Sequence, residues 1–399
     1  MAAAQRVDLL VLGAGIAGTA TAYHLARRRA GSVLLFDPRT PAAGATGRAA
    51  GIITDQLWDR WDVEVTRAAQ AEYREILGRR DPAAYTVNGF VRWTADPSAE
   101  TVVDAAYERL RSWGVQVDRI DGAELARSFP WGRFEDVRVG LRGRADAVVT
   151  PSTLAESYLF EARAIGIETA FGETGARLGR SGDGVELYLS DRTVRPRTTI
   201  VAAGAWSKRI LQELGAPLPL VPYRVQAATL RPSPTPPEAF PSGHDIDSDV
   251  YFRPEGAGRV LAGDGTERAE ADPERFVPSG DPAFLEHLAR TFAARLPGWA
   301  DAELTRAWAG VCTSTPDRRP LIGAIDAARG LYTIVGFNGF GVMRGGGAAR
   351  WLVDRIVDGP NGAAADRLAS VDPRRFRPPF PEFLPQPGFT LEGGDAPRF

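Results

Sequence analysis

Three glycines and one acid carry the first chemistry legible in this chain. Gly13, Gly15 and Gly18, in the run Gly13-Ala14-Gly15-Ile16-Ala17-Gly18, follow an apolar stretch of strand length at 7–12 and precede a helix-like stretch at 20–29. In that setting the first glycine makes a tight turn, the second lets a pyrophosphate approach the backbone, and the third lets helix pack on strand. A second apolar run at 33–36 ends in Asp37, nineteen residues after Gly18 and followed by Pro38 and Arg39. A carboxylate there accepts hydrogen bonds from the ribose hydroxyls of an adenosine. Strand, glycines, helix, strand and acid in this order predict a dinucleotide site.

NAD and FAD both use that unit, and the next segment separates them. Gly44, Ala45, Thr46, Gly47, Arg48, Ala49, Ala50, Gly51 and Ile52 form a run of small residues just after the acid. Such a loop lets backbone N–H groups approach a second phosphate and the ring system beyond it, as an extended FAD requires.

The elements that must position these groups alternate along the chain. Val63, Val65, Ala69, Tyr73, Ile76 and Leu77 stand at helical spacing and predict a helix over 62–80, and 87–93 reads as a strand. A helix is expected over 101–113, and a strand at 146–150 gives way to Pro151, which suits a first helical turn. Gly339 and Gly341 precede a helix expected over 344–357. The Pro-rich segment 231–237 reads as an extended loop, with a lid as the alternative. His24 falls in the first helix, His244 in the Pro-rich loop and His287 in a later helix, and all three read as structural.

On the small-residue loop the chain begins to resemble the FAD-dependent D-amino-acid oxidase superfamily, in its glycine oxidase, sarcosine oxidase and proline dehydrogenase branch. Residues 198–207, a strand running into Ala203, Gly204, Trp206 and Ser207, are similar to a second FAD signature of that family. Trp308, Gly310, Cys312, Asp317, Pro320 and Gly323 stand in a segment that resembles its W-x-G-x-x-x-x-T-P-D-x-x-P-x-I-G, and Gly336 to Met343 resembles its G-F-S-G-H-G. The resemblance runs over 7–357 and implies an α/β fold: a Rossmann-like FAD-binding domain with an interleaved α+β substrate domain on an antiparallel sheet. The FAD-binding parts are expected at 1–85, 146–219 and 306–370, the substrate parts at 86–145 and 220–305, and a Pro-rich tail at 371–399. Glu173, Thr174, Gly310, Val342 and Met343 join the expected cofactor set.

The resemblance also implies the reaction. A neutral amine uses its lone pair to assist transfer of the α-hydrogen as hydride to flavin N5, so little acid–base machinery is needed. The backbone before the helix at 344 would stabilise negative charge at the flavin pyrimidine edge. Cys312 stands where relatives place an arginine or a tyrosine, Met343 where one places a lysine, and Phe340 where they place a histidine, so the pocket is expected to be unusually apolar. Tyr251, Arg253, Cys312, Phe340, Met343 and Arg344 are the expected substrate-facing residues, with Arg253, Arg344 and Arg48 as candidate partners for a carboxylate. A flavin-linking cysteine of the sarcosine oxidase kind would fall at Gly310, so FAD is expected to bind non-covalently. The substrate expected is an amine or amino acid, most simply a secondary amine, with an electron-accepting partner as an option. A 2-hydroxy acid dehydrogenase and a flavin-bound electron-relay subunit are the alternatives.

Composition sets the outer limits. The 399 residues carry a net charge of -2, which gives no basic field for nucleic acid. Cys312 is the only cysteine, so neither an intrachain disulfide nor a cysteine metal site is expected. No apolar run nears the ~20 residues of a membrane span, and the first residues are too few for a signal peptide core, so a cytoplasmic protein is expected. Lys208 is the only lysine.

Overall fold

The computed structural model describes residues 4–181, 184–233, 235–264, 270–326 and 329–383. Part of the Pro-rich segment (residue 234) and most of the Pro-rich tail (384–399) lie outside the described residues. The apolar runs read from the sequence become the centre of an eight-stranded sheet, in which Gln5–Leu12 lies between Val33–Asp37 and Thr193–Val201. Glu168–Phe171 and Leu331–Val335 extend it, all four of these pairings being parallel. Strands buried on both faces need apolar side chains at successive positions. Leu9, Val11, Val33 and Leu35 accordingly enter one core, while Leu10, Leu12, Leu34 and Phe36 enter another with Leu211 and Leu214.

The first core is closed by the helices Ile16–Arg27, Arg60–Arg80, Pro151–Ile165 and Gly341–Asp358. Gly345, Gly346 and Gly347 let the last of these approach its neighbours. A Cβ on Gly346 would lie 2.6 Å from the Tyr158 hydroxyl, and one on Gly347 would lie 2.3 Å from the Val65 carbonyl oxygen.

A second eight-stranded sheet runs in the order Glu303–Ser314, Val221–Arg231, Arg259–Gly263, Val250–Gly256, Ser242–Asp245, Phe90–Thr94, Val139–Gly143, Val117–Ile120. Every pairing is antiparallel except that of Ser242–Asp245 with Phe90–Thr94. One face buries an aromatic core of Trp93, Phe129, Phe134, Phe252, Phe292 and Trp299. The molecule is thus an α/β protein with two large sheets, and Ile52–Ile53, Ala147–Val149 and Tyr85–Val87 form a small third one.

Several expectations change on contact with the structure. The strand expected at 87–93 is two strands in different sheets, Tyr85–Val87 and Phe90–Thr94, because Gly89 turns the chain at φ +78°. His244 lies in the strand Ser242–Asp245 rather than a loop. Glu303–Ser314 crosses the boundary expected at 305/306 and pairs within the second sheet along its length. Among the described residues, no helix is long and apolar enough to cross a membrane.

Candidate active site

The end of strand Gln5–Leu12 opens the site. Gly13 turns at φ +105°, with room for no side chain: a Cβ would lie 2.6 Å from the Ala202 carbonyl oxygen. A Cβ on Gly18 would lie 1.8 Å from the carbonyl oxygen of Gly13, so this glycine is required by helix–strand packing. Gly15 differs, since its Cβ would meet only the Thr46 hydroxyl, at 3.1 Å. It is the N-cap of Ile16–Arg27 and offers no side-chain cap, which leaves helix N–H groups open to a ligand.

The small-residue loop folds over this end. Thr46 Oγ1 accepts from the Ile16 N–H at 3.0 Å. Asp37 accepts from the N–H groups of Ala14 (2.8 Å) and Arg39 (2.9 Å), and each carboxylate oxygen retains a further lone pair. Arg48 turns its guanidinium onto the carbonyls of Ala43 and Gly44, while its own carbonyl accepts from the Trp308 indole at 3.0 Å. The Arg48 stem lies against Gly310, where a Cβ would come within 3.2 Å of it.

One cavity of about 810 Å³ continues from Asp37 and Trp206, past Gly15 and Arg48, to Tyr251, Cys312 and Phe340. Of the expected cofactor residues it brings together Gly13, Gly15, Ile16, Ala17, Asp37, Pro38, Arg39 and the loop residues Gly44, Ala45, Thr46, Arg48, Ala49, Ala50, Gly51 and Ile52. Thr174, Ala203, Gly204, Trp206, Gly310, Gly339, Phe340, Gly341, Val342 and Met343 line it too. Ala14 and Gly18 support its wall without lining it, and Glu173 instead accepts from the backbone and hydroxyl of Ser190, each at 3.1 Å.

Of the three arginines expected as partners for a substrate carboxylate, Arg48 lines the cavity and Arg344 and Arg253 do not. Arg344 is fully buried in the first turn of Gly341–Asp358, with Nη1 2.9 Å from Asp62 Oδ1. Its guanidinium carbon stands 5.0 Å from the ring centre of Trp58 and 4.7 Å from that of Phe340. Burial pushes the Asp62 carboxyl up to about 7, against the pull of Arg344. Tyr73 fastens the same turn, donating to the Val342 carbonyl at 2.7 Å and accepting from the Gly346 N–H at 3.1 Å. Arg253 is spent on the carbonyls of Ala50 and Pro254 and on Glu255.

Sequence reasoning named Tyr251, Gly310 and Cys312 but missed the rest of the cavity wall that the second sheet supplies. Strand register sets Trp308, Ala227, Gly263, Tyr251 and His244 in one row across the second sheet, and Cys312 opposite Tyr223. Gly263 makes room for Tyr251, whose hydroxyl would lie 2.3 Å from a Cβ there. Tyr223, Gln226, Trp308, Asp249 and Asp264 all line the cavity, so the pocket expected to be apolar carries two carboxylates. Asp249 Oδ1 lies 3.0 Å from Nε2 of the buried His244. Burial raises both tyrosines above the ordinary range, with Asp264 and Asp249 adding to the effect at Tyr251. Burial also pushes the Cys312 thiol up to about 12. The period-two pattern Tyr223, Val225, Ala227 against Trp308, Gly310, Cys312 was the available signal, but pairing two strands that far apart needs the fold.

Comparison with known proteins gives this geometry its family. Residues 8–355 match the model described as FAD dependent oxidoreductase. The human mitochondrial dimethylglycine dehydrogenase is 22% identical over 93% of this chain and 44% of its own length. Mouse mitochondrial sarcosine dehydrogenase is 23% identical over 92% of this chain and 41% of its own. The chain thus spans less than half the length of these relatives. Among solved structures, L-proline dehydrogenase from P. horikoshii shares the fold with TM-score 0.83 and 21% identity, covering 94% of this chain and 98% of its own. Glycine oxidase from Geobacillus kaustophilus gives TM-score 0.81 and 20% identity, covering 94% of this chain and 100% of its own. This chain belongs to the DAO family of FAD-dependent oxidoreductases.

Proposed function

We propose that the chain oxidises the C–N bond of an amine, a secondary amine or an amino acid, to an imine, using FAD held without a covalent link. The observation that carries this reading is the single cavity joining the Gly15–Asp37 end to the Tyr251–Cys312 end. Its volume of about 810 Å³ stands high in the ~300–1,000 Å³ range of ligand clefts. The names of the relatives, dimethylglycine dehydrogenase and sarcosine dehydrogenase, support a C–N substrate.

The residues present fit FAD. The N-terminus of Ile16–Arg27 beyond the Ile16 N–H taken by Thr46, and the open face of Gly15, would hold the pyrophosphate, and Asp37 a ribose. The loop around Thr46 and Arg48 and the first turn of Gly341–Asp358 would hold the ring system. Bound there, FAD would supply the two-electron acceptor for the α-hydrogen of the amine. The second-sheet wall orients the amine, and its buried tyrosines stay protonated as hydrogen-bond donors at neutral pH. Cys312, with its thiol raised to about 12, stays a thiol rather than the thiolate needed to attack a flavin.

Anaerobic mixing of the FAD-loaded protein with amines and with 2-hydroxy acids tests the reading. Amines are expected to bleach the flavin absorbance. Bleaching by hydroxy acids alone would overturn it in favour of C–O oxidation, and bleaching by neither would favour an electron-relay role. Acid precipitation should release all the flavin into solution, and flavin that stays with the protein but leaves a Cys312→Ser variant would overturn the non-covalent assignment.

A further inference from the structure

We propose that the segment 270–276 is a gate over the Asp37 end of the cavity, latched by Glu274 onto Trp206 and Arg39, and that FAD enters and leaves the folded protein there. The inference rests on the placement of FAD given above and does not depend on which substrate the flavin oxidises.

The segment is anchored at both ends on the second sheet. Ala271 N–H donates to the Pro222 carbonyl at 2.9 Å, and Glu270 makes a β-bridge with Tyr223. Further on, Arg224 donates to the carbonyls of Val277 at 3.0 Å and Ser279 at 2.6 Å and pairs with Asp281 at 2.6 Å. Between these anchors the chain turns, Arg275 N–H donating to the Asp272 carbonyl at 3.0 Å, and its side chains cross to elements around the first sheet. Glu274 accepts from the Trp206 indole and, at 2.9 Å, from Arg39, and it lies 4.0 Å from Arg209. Glu270 pairs with Lys208, which shares the helix Ser207–Glu213 with Arg209. The Arg39 guanidinium stands 4.6 Å over the Trp206 ring, two residues beyond Asp37. Glu274, Arg39, Trp206 and Arg209 all line the cavity, so the bonds that tie the segment down are themselves part of its wall.

The two ends of the cavity are held by different forces. Near Cys312 the second sheet meets the first through buried groups: the Ser314 hydroxyl bonds the Asn338 side-chain oxygen at 2.8 Å, and the Asn338 N–H bonds the Thr313 carbonyl at 3.0 Å. At the Asp37 end the ties are ion pairs open to water. Side-chain exposure is 40% at Arg39 and 39% at Glu274, and 32% at Lys208 and 59% at Glu270. Pairs exposed to this degree add little net stability and are screened by salt. They can break and re-form while the buried contacts at the other end stay intact, which is the behaviour of a locally opening segment. A cofactor enclosed along such a cavity needs one end that opens without unfolding the protein, and the latch of Glu274 is where that opening costs least.

Rates of FAD release and uptake, read by flavin fluorescence, test the gate without turnover. In the unsubstituted protein, raising salt from about 0.02 M to about 0.5 M should speed release by about threefold, because the latch is screened. Glu274→Ala should speed release and uptake alike by about fivefold, keep Kd within about twofold, and lose most of the salt effect. The melting temperature of its apo form should stay near that of the parent. Release that speeds without uptake, so that Kd rises in step, would make Glu274 a cofactor contact and overturn the gate. Tighter FAD binding with unchanged release would show the carboxylate competing with the cofactor for Arg39, and would overturn it as well. Should the variant fail to fold, release from the unsubstituted protein that ignores salt is enough to overturn the proposal. Asp37→Ala separates the gate from the placement of FAD, since a lost ribose contact should raise Kd through release alone. An unchanged Kd in that variant would remove the nucleotide from this end and overturn both. A raised Kd there beside a silent Glu274→Ala would overturn the gate alone.

Discussion

Gly15 and Gly18 belong to one motif but answer to different demands. Gly18 is fixed by the fold, because a Cβ there would sit 1.8 Å from the Gly13 carbonyl oxygen; a Cβ on Gly15 meets only a hydroxyl at 3.1 Å. Gly18→Ala should therefore fail to give stable protein. Gly15→Val should fold, with an apo melting temperature near that of the parent, and lose bound flavin; full flavin loading of that variant would remove the pyrophosphate from this end of the cavity. The motif was legible because turn, approach and packing are local demands that residue type expresses directly. The arginines were not. Arg253 and Arg344 look alike in a sequence, and whether a guanidinium faces a ligand or is committed to a buried acid depends on partners far along the chain, such as Asp62.

Periodicity revealed most helices and the central parallel strands, since apolar spacing reports directly on which face is buried. It failed at Asn88-Gly89, where one apolar run serves two sheets, and at His244, whose polar strand Ser242–Asp245 is buried without an apolar pattern. The helix Gly341–Asp358 carries a further departure in three successive glycines, each ~1 kcal/mol less favourable than alanine in a free helix. Propensity alone would make Gly347→Ala stabilising. Contact with the Arg60–Arg80 helix reverses the sign, because the added Cβ would lie 2.3 Å from the Val65 carbonyl oxygen and 3.1 Å from the Ala69 nitrogen. Urea denaturation should show a loss of roughly 1–3 kcal/mol, the usual range for overpacking. A midpoint raised above that of the parent protein would show that the two helices can separate without penalty.

At the scale of the whole molecule, the interleaving of two sheets followed from family resemblance, while the cavity wall beyond Tyr251 and Cys312 emerged only once strand register was known. Asp146 is one of the residues that tie the distant segments together, accepting from the Thr54 hydroxyl at 2.7 Å and the Asp55 N–H at 3.0 Å. Burial, with Asp55 nearby, pushes its carboxyl up to about 6, from an ordinary value of 3.8. The folded chain therefore holds this proton more tightly than the unfolded chain. Its contribution is full below about pH 4 and is lost as pH rises through about 6, amounting to roughly 3 kcal/mol for a shift of that size. Asp146→Asn should be more destabilised relative to the parent at about pH 5 than at about pH 8 in denaturant titrations, and a gap independent of pH would show that this carboxyl is not raised. Reaction with oxygen depends on the charge layout of the entire cavity. Reduction of O₂ builds negative charge beside the flavin and gains from a fixed cation there. Lys208 is ion-paired with Glu270, and Arg48 is turned onto two carbonyls. Among the described residues, the other arginines lining the cavity are Arg39, Arg177 and Arg209, and Arg39 and Arg209 lie against Glu274. The reduced, FAD-loaded protein should consequently be reoxidised slowly by air-saturated buffer and quickly by a quinone or dye acceptor. Stopped-flow reoxidation by O₂ far faster than that of free reduced flavin would require a cation at the ring and would mark the chain as an oxidase.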